Sequence, residues 1–410
     1  MTRFRLFLGV IGLASIAGAI NAVLSRHDLI GIGDFFFLWA APVVARSSGA
    51  SFVYDIQGFH AAELALGLPA DHFLPFPYPP TFLALLWPLG SLSIKVAFVV
   101  FMTGTFLFYL IASLDRWRLV PFAAFNPAVV ANFLAGQSGF LSAGLMLGAA
   151  RLLTKHPVVA GVLFGLLTYK PQLGLMVPVA LLAARQWTCV VSAALTLVLI
   201  IASTSCWFGV EAWVACWKSF GDYNGAMEAL SYINALRSTV WAMVRDMGAG
   251  SAVAGACQLA AALLSAAAVW VSWRRFNSND PYPAIVALCS GTFLATPHAF
   301  WYDMTMLSGA LILYALDREA SLESWQRCLI VIGIALPRIT GAAVLAHVAP
   351  IVMVPILWMA CTTPRRPHPT RGADRTLPLK RDWPPRGTQL TTGTPARELA
   401  DRQVAVCGAK

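Results

Sequence analysis

TCVVSAALTLVLIIASTSCWF, residues 188–208, is a run of 21 residues without one charged side chain. Wound as a helix at about 1.5 Å per residue it reaches about 30 Å, the thickness of a bilayer's hydrocarbon core. The rest of the chain has the same character: of 410 residues 58% are hydrophobic and only 12% charged, against about a quarter charged in ordinary soluble domains. The 24 Phe, 14 Trp and 31 Gly suit apolar helices with aromatic belts and close helix contacts. This composition excludes a disordered chain and a disulfide scaffold, and it indicates an all-α polytopic integral membrane protein.

Further apolar runs cover 6–24, 93–114, 119–135, 140–153, 157–168, 173–184, 251–271, 282–296, 304–316, 328–336 and 341–361. Several are short for a crossing, so tilting or merging brings the expected bundle to about 10–12 transmembrane helices. The first run follows Arg3 and Arg5 and exceeds a signal-peptide core in length, so it reads as an uncleaved first helix. Thr81 to Gly90 reads as a short interfacial or re-entrant helix. No repeat of 20–50 residues and no inverted symmetry between the halves is visible, which counts against a transporter.

The formal net charge of +10 raises the question of nucleic acid, but the basic residues cluster at the ends of apolar runs. Arg116 with Arg118, Arg151 with Lys155, Arg185, Arg274 with Arg275, and Arg318 all fall on one side when crossings alternate from a cytoplasmic N-terminus. That is the positive-inside pattern, and it predicts cytoplasmic termini and no nucleic-acid partner. Residues 25–80 form the first large outer loop, net −3, and 209–250 a second outer loop. Residues 363–410, net +6 and rich in Pro, Arg and Thr, are expected to be a disordered cytoplasmic tail drawn to the anionic inner leaflet. The domains are then 1–362 in the membrane and 363–410 outside it. The eight cysteines form no metal-ligand pattern and read as packing residues, with Cys206–Cys216 as the one pair that an oxidising compartment would allow.

Four polar groups converge on the outer face in this topology: Gly33-Asp34 before Phe35, Phe36, Phe37 and Trp39; Gly136-Gln137-Ser138; Tyr169-Lys170-Pro171-Gln172; and Thr296 to Asp303, with His298 and Tyr302. Ionisable residues at helix ends in so apolar a chain are functional candidates, because burying them costs free energy unless they are paired or wetted. Each has a plainer reading. Asp34 would cap the following helix, Lys170 would snorkel to the headgroups, and Gln137 would satisfy a tight turn. His298 would be a structural hydrogen-bonder, and Trp301 and Tyr302 belt residues.

The ordered set Gly33-Asp34-Phe35 with Trp39, Tyr54-Asp55, Tyr78-Pro79-Pro80, Asn126-Pro127, Gly136-Gln137, Tyr169-Lys170-Pro171-Gln172 and Pro297-His298 with Tyr302-Asp303 resembles glycosyltransferase family 87, of the GT-C superfamily. The resemblance runs over residues 1–362. It implies a GT-C-like bundle with short interfacial helices in the first outer loop. The implied activity is inverting transfer of a hexose, typically mannose, from a polyprenyl-phosphate donor to a lipid or glycan acceptor at the outer face of the cell membrane. It places the catalytic base at Asp34, with Asp55 in reserve. Because Asp34 is followed by Phe35 rather than a second acid, no cofactor and no metal are expected.

General chemistry assigns the other positions. The leaving phosphate is a stable anion that needs cationic help more than a proton, which suits Lys170. Gln137, Tyr169, Gln172, His298, Tyr302 and Asp303 are candidates for binding phosphate or sugar, and Arg338, the lone outer-side exception to the pattern of basic residues at helix ends, is a second phosphate partner. A transporter or flippase of a lipid-linked or anionic solute is the alternative from another class, and an inactive scaffold a third.

Overall fold

The computed structural model describes residues 3–25, 33–114, 119–229, 236–340, 348–364 and 366. The expected tail, 363–410, lies almost wholly outside the described residues. The helices are α1 (Arg3–Ser25), α2 (Phe35–Ser48), α3 (Ile56–Ala65), α4 (Pro80–Leu86), α5 (Ile94–Ser113), α6 (Val120–Ala124), α7 (Pro127–Ala135), α8 (Gly139–Leu152) and α9 (Pro157–Leu166). They continue with α10 (Val177–Ala183), α11 (Trp187–Phe208), α12 (Val210–Ala229), α13 (Val240–Asp246), α14 (Ser251–Arg274), α15 (Tyr282–Ala295), α16 (Thr305–Arg318), α17 (Ser324–Thr340) and α18 (Val348–Thr362). No strand occurs among the described residues; Arg237 and Phe300 form an isolated antiparallel bridge.

The protein is an all-α membrane protein. Three helices, α5, α11 and α14, are long and apolar enough to cross a bilayer by themselves. They leave large apolar side chains uncovered, among them Ile111, Leu195, Val198, Leu199, Leu263 and Leu264. Such faces are costly in water and at ease in hydrocarbon, where the helix already satisfies its own backbone. Helices α15 and α16 are apolar all round and almost entirely buried, so they form the centre of the bundle. The remaining apolar helices are shorter than a full crossing.

Small residues set how closely the helices approach. On α9, a Cβ at Gly161 would come within 2.5 Å of Ser192 Cβ, and one at Gly165 within 2.6 Å of Thr196 Cβ, both on α11. This four-residue glycine spacing lets two backbones meet without side chains between them, the usual route to helix pairing in lipid. Residue Gly12 gives α1 the same close seat against Phe125, whose carbonyl oxygen would lie 2.6 Å from an added Cβ.

Proline and side-chain caps explain why the runs are broken where the apolar pattern continues. The run 119–135 is two helices, not one, because Asn126 Oδ1 accepts from the N–H groups of Ala128 (3.0 Å) and Val129 (3.2 Å) and Pro127 fills the first helical position. The run 173–184 is likewise a 3-10 turn, Pro171–Gly174, followed by α10. Residues 81–90 are the short element expected there, α4 and a 3-10 turn. Helix α2 is buried on nearly all sides rather than lying in an exposed interface. The segment 209–250, the expected second outer loop, carries the 20-residue α12 and the shorter α13. Cys206 and Cys216 are both free.

One end of the bundle is stitched by charge. Arg318 donates to Asp280 Oδ2 and, at 3.0 Å, to the carbonyl of Pro364. The backbone N–H of Arg366 donates to the same Asp280 oxygen at 3.0 Å, and Arg5 pairs with Glu319 at 2.7 Å. This end lies beyond the N-terminus of α15 and the C-terminus of α16, one helix length from residues 296–304.

Candidate active site

At the other end, residues from the Gly33-Asp34 turn, the α7–α8 turn, the Lys170 turn, α12 and the 296–302 loop enclose a cavity of about 1010 Å³. The α7–α8 turn is built by glycine. Gly136 takes the left-handed conformation (φ 65°), and the N–H of Gln137 reaches back to the carbonyl of Asn132 at 3.3 Å. These are the marks of a Schellman C-cap. The Asn132 side chain then accepts from the N–H of Gly139 at 2.8 Å, which starts α8. Gly33 and Phe35 pack directly on Ala135 and Gly136; a Cβ at Gly136 would sit 2.8 Å from Phe35 Cβ.

This docking brings Asp34 to Gln137. Asp34 stands at the N-cap position of α2 but makes no side-chain cap bond, so the capping reading fails. Its Oδ2 instead accepts from Gln137 Nε2 at 2.8 Å. Burial pushes the Asp34 carboxyl above its ordinary range, opposed by the Gln137 hydrogen bond and the positive charge of Lys170. Gly136→Ala is expected to cost about 1–3 kcal/mol, the usual penalty for a side chain in the left-handed region. Because the added methyl also presses on Phe35, next to Asp34, activity should fall as well; thermal unfolding in detergent and an activity assay check both.

Lys170 follows the 3-10 turn Leu167–Tyr169, and Pro171 forces it out of helical geometry. It does not snorkel. Its side chain is 2% exposed, and Nζ meets Asp303 Oδ1 at 2.6 Å. The ammonium also lies over the rings of Tyr302 (5.1 Å) and Tyr78 (5.7 Å). Asp303 Oδ2 accepts from the N–H of Phe300 at 3.3 Å. Asp303 is fully buried and does not itself line the cavity, so it backs Lys170 rather than meeting a ligand directly.

The other expected residues divide. Gln172, His298 and Tyr302 line the cavity. Burial, together with the charge of Arg237, pulls the His298 imidazole down to about 4, which leaves it neutral at pH 7. Tyr169 stands back from the lining, its hydroxyl bonded to Ser142 Oγ at 2.6 Å and to the carbonyl of Ser138 at 3.1 Å. Asp55 stands away from the cavity lining, where it caps α3 by accepting from the N–H of Gly58 at 3.2 Å. Arg338 lies on α17, but its side chain is outside the described residues.

The structure adds residues that the sequence reading had not assigned. Tyr78 lines the cavity and donates to Gln137 Oε1 at 3.2 Å. Trp213, Trp217, Phe220 and Tyr223 present one face of α12 to the cavity. Their helical spacing is a signal in the sequence itself.

A carboxylate, an amide, an ammonium and a neutral imidazole thus converge on a largely apolar cavity, through residues spread over most of the chain. The profile of glycosyltransferase family 87 matches residues 76–297, more than half of the protein. The chain belongs to glycosyltransferase family 87. The matched span of this glycosyltransferase includes Tyr78, Gln137, Lys170 and Gln172, while Asp34 and Asp303 lie outside it and are tied to it by the contacts described. No curated protein and no solved structure matches the chain. Family membership favours glycosyl transfer over the transporter alternative.

Proposed function

We propose that this family 87 glycosyltransferase moves a hexose, mannose first among those to test, from a polyprenyl-phosphate donor to a lipid or glycan acceptor, with inversion, at the outer face of the cell membrane. The observation that carries the reading is Asp34 held by Gln137 at 2.8 Å beside the buried Lys170, in a cavity whose wall is mostly aromatic and apolar.

Asp34 Oδ1 takes no hydrogen bond from the described residues, and it is the atom to receive the proton of the acceptor hydroxyl. The acceptor oxygen attacks the anomeric carbon as the bond from that carbon to the phosphate oxygen breaks, and the electron pair leaves on the phosphate. Lys170 steadies that anion. Gln172, the neutral His298 and Tyr302 offer hydrogen bonds to sugar and phosphate, and the α12 face with Trp213, Trp217 and Phe220 borders the first prenyl units. The active site uses no obligatory metal in this reading.

The ends of the bundle support the membrane orientation. Helices α8, α9, α15 and α16 each have one end at the cavity, and Arg151, Lys155, Arg275 and Arg318 lie at or just beyond their other ends. Arg5 and Arg366 join that same basic end. By the positive-inside rule the basic end and both termini are cytoplasmic, and the cavity faces outward.

The test is transfer by purified protein in liposomes from polyprenyl-phosphate [14C]mannose to a membrane-lipid extract, with and without EDTA. Label is expected in a lipid or glycan product of inverted anomeric configuration, unaffected by EDTA. Transfer from a nucleotide sugar with none from the polyprenyl donor overturns the donor class.

A further inference from the structure

Gln137 was expected among the donor ligands, yet its amide is already engaged on both sides. Its Oε1 takes two donors, the Tyr78 hydroxyl at 3.2 Å and the N–H of Ser138 at 3.3 Å. A backbone N–H can only donate, so this pair fixes which end of the amide is oxygen. Nε2 must then face Asp34, where it donates to Oδ2 at 2.8 Å. The amide is also held through its own backbone, because the N–H of Gln137 bonds the Asn132 carbonyl and Gly136 supplies the left-handed turn. Tyr78 is equally fixed: it is 4% exposed, its ring packs on Phe82 at 4.7 Å, and the Lys170 ammonium lies 5.7 Å from its centre.

We propose that Gln137 and Tyr78 are positioning residues for Asp34, a relay that pins Oδ2 and leaves Oδ1 alone to meet the acceptor hydroxyl. Tyr78 acts through Gln137 and needs no contact with the sugar. The relay rests on the reading of Asp34 as the base. It also has an electrostatic side, because a donor to a carboxylate favours its ionised form. Loosening the relay therefore leaves Asp34 protonated to higher pH. Lys170, Asp303, Tyr223 and Tyr302, the other charged and titratable groups that face Asp34, stay unchanged in the variants that test this.

The experiment compares wild type, Tyr78→Phe, Gln137→Leu and Asp34→Asn, with polyprenyl-phosphate mannose as donor. Tyr78→Phe is expected to lower kcat about tenfold, with donor KM within about twofold of wild type, and to move the acid limb of the kcat profile upward. Gln137→Leu should do the same to a greater degree. A second readout needs no turnover: the Asp34 carboxyl band in infrared titration, assigned by its loss in Asp34→Asn, should move its midpoint upward in both variants. An unmoved midpoint, or a raised donor KM with an unmoved acid limb, overturns the relay. Full activity in Asp34→Asn instead overturns the base assignment, and the infrared titration then still decides whether Gln137 and Tyr78 govern that carboxyl.

Discussion

Asp34→Asn should reduce sugar transfer by about 10²–10⁴-fold, the range that a general base contributes, with the protein still folded in the membrane. The substitution keeps the shape of the side chain and an oxygen that can accept from Gln137 Nε2, which in the native protein lies 2.8 Å from Oδ2. The turn that seats Gly33 and Phe35 on Gly136 therefore survives. What disappears is the second oxygen's ability to take a proton. The same change at Asp55 is the control: that carboxylate caps α3 through the N–H of Gly58, so Asp55→Asn should keep both transfer and fold, Asn being a good cap itself. Transfer is read as initial rate in liposomes, and folding as the monodisperse fraction and melting temperature in detergent. Undiminished transfer in Asp34→Asn would remove the base from this residue.

The sequence makes the helices legible because lipid leaves so few alternatives. A run such as 188–208 has no other way to satisfy its backbone in hydrocarbon, and α11 ends within a residue of where the run does. The breaks are legible in kind: Asn126-Pro127 is a cap followed by a first-turn proline, and it divides an apolar stretch that hydropathy alone reads as one. Helix α12 was hidden for a different reason. Its charged residues, Glu211, Lys218, Asp222 and Glu228, dilute the mean hydropathy, although Trp213, Trp217 and Phe220 keep helical spacing throughout.

Within the site, residue types were legible and partners were not. Asp34 and Asp55 each stand before a helix in the same loop, and only the three-dimensional fold separates the one that caps from the one that faces the cavity. The partner of Lys170 lies 133 residues away, and that of Asp34 103 residues away. Such pairs are set by how α8, α9 and α16 pack, which local pattern does not encode.

Breaking the Lys170–Asp303 pair should have a large effect on stability. Both side chains are buried, at 2% and 0% exposure, and Nζ and Oδ1 are 2.6 Å apart. Lys170→Met removes the cation and strands a carboxylate in an apolar interior, a change that typically costs about 3–5 kcal/mol. Transfer should be lost as well, but that loss alone would not separate a missing phosphate partner from a distorted site. The double variant Lys170→Met/Asp303→Leu separates them, because replacing both members of a buried pair with apolar residues of similar volume is often neutral. It should regain most of the lost stability in chemical denaturation, while transfer stays absent, because the ammonium proposed to meet the leaving phosphate is gone. Recovery of transfer together with stability would assign Lys170 to the fold alone and move the phosphate contact elsewhere in the cavity. The native pairing has a further consequence for the reaction. In the proposed reaction an incoming phosphate shares an ammonium that already pairs with Asp303 at 2.6 Å and lies 5.7 and 5.1 Å from the ring centres of Tyr78 and Tyr302. On the proposed role of Lys170, its hold on the donor is moderate before transfer and strengthens as charge builds on the leaving oxygen, the difference that lowers a barrier.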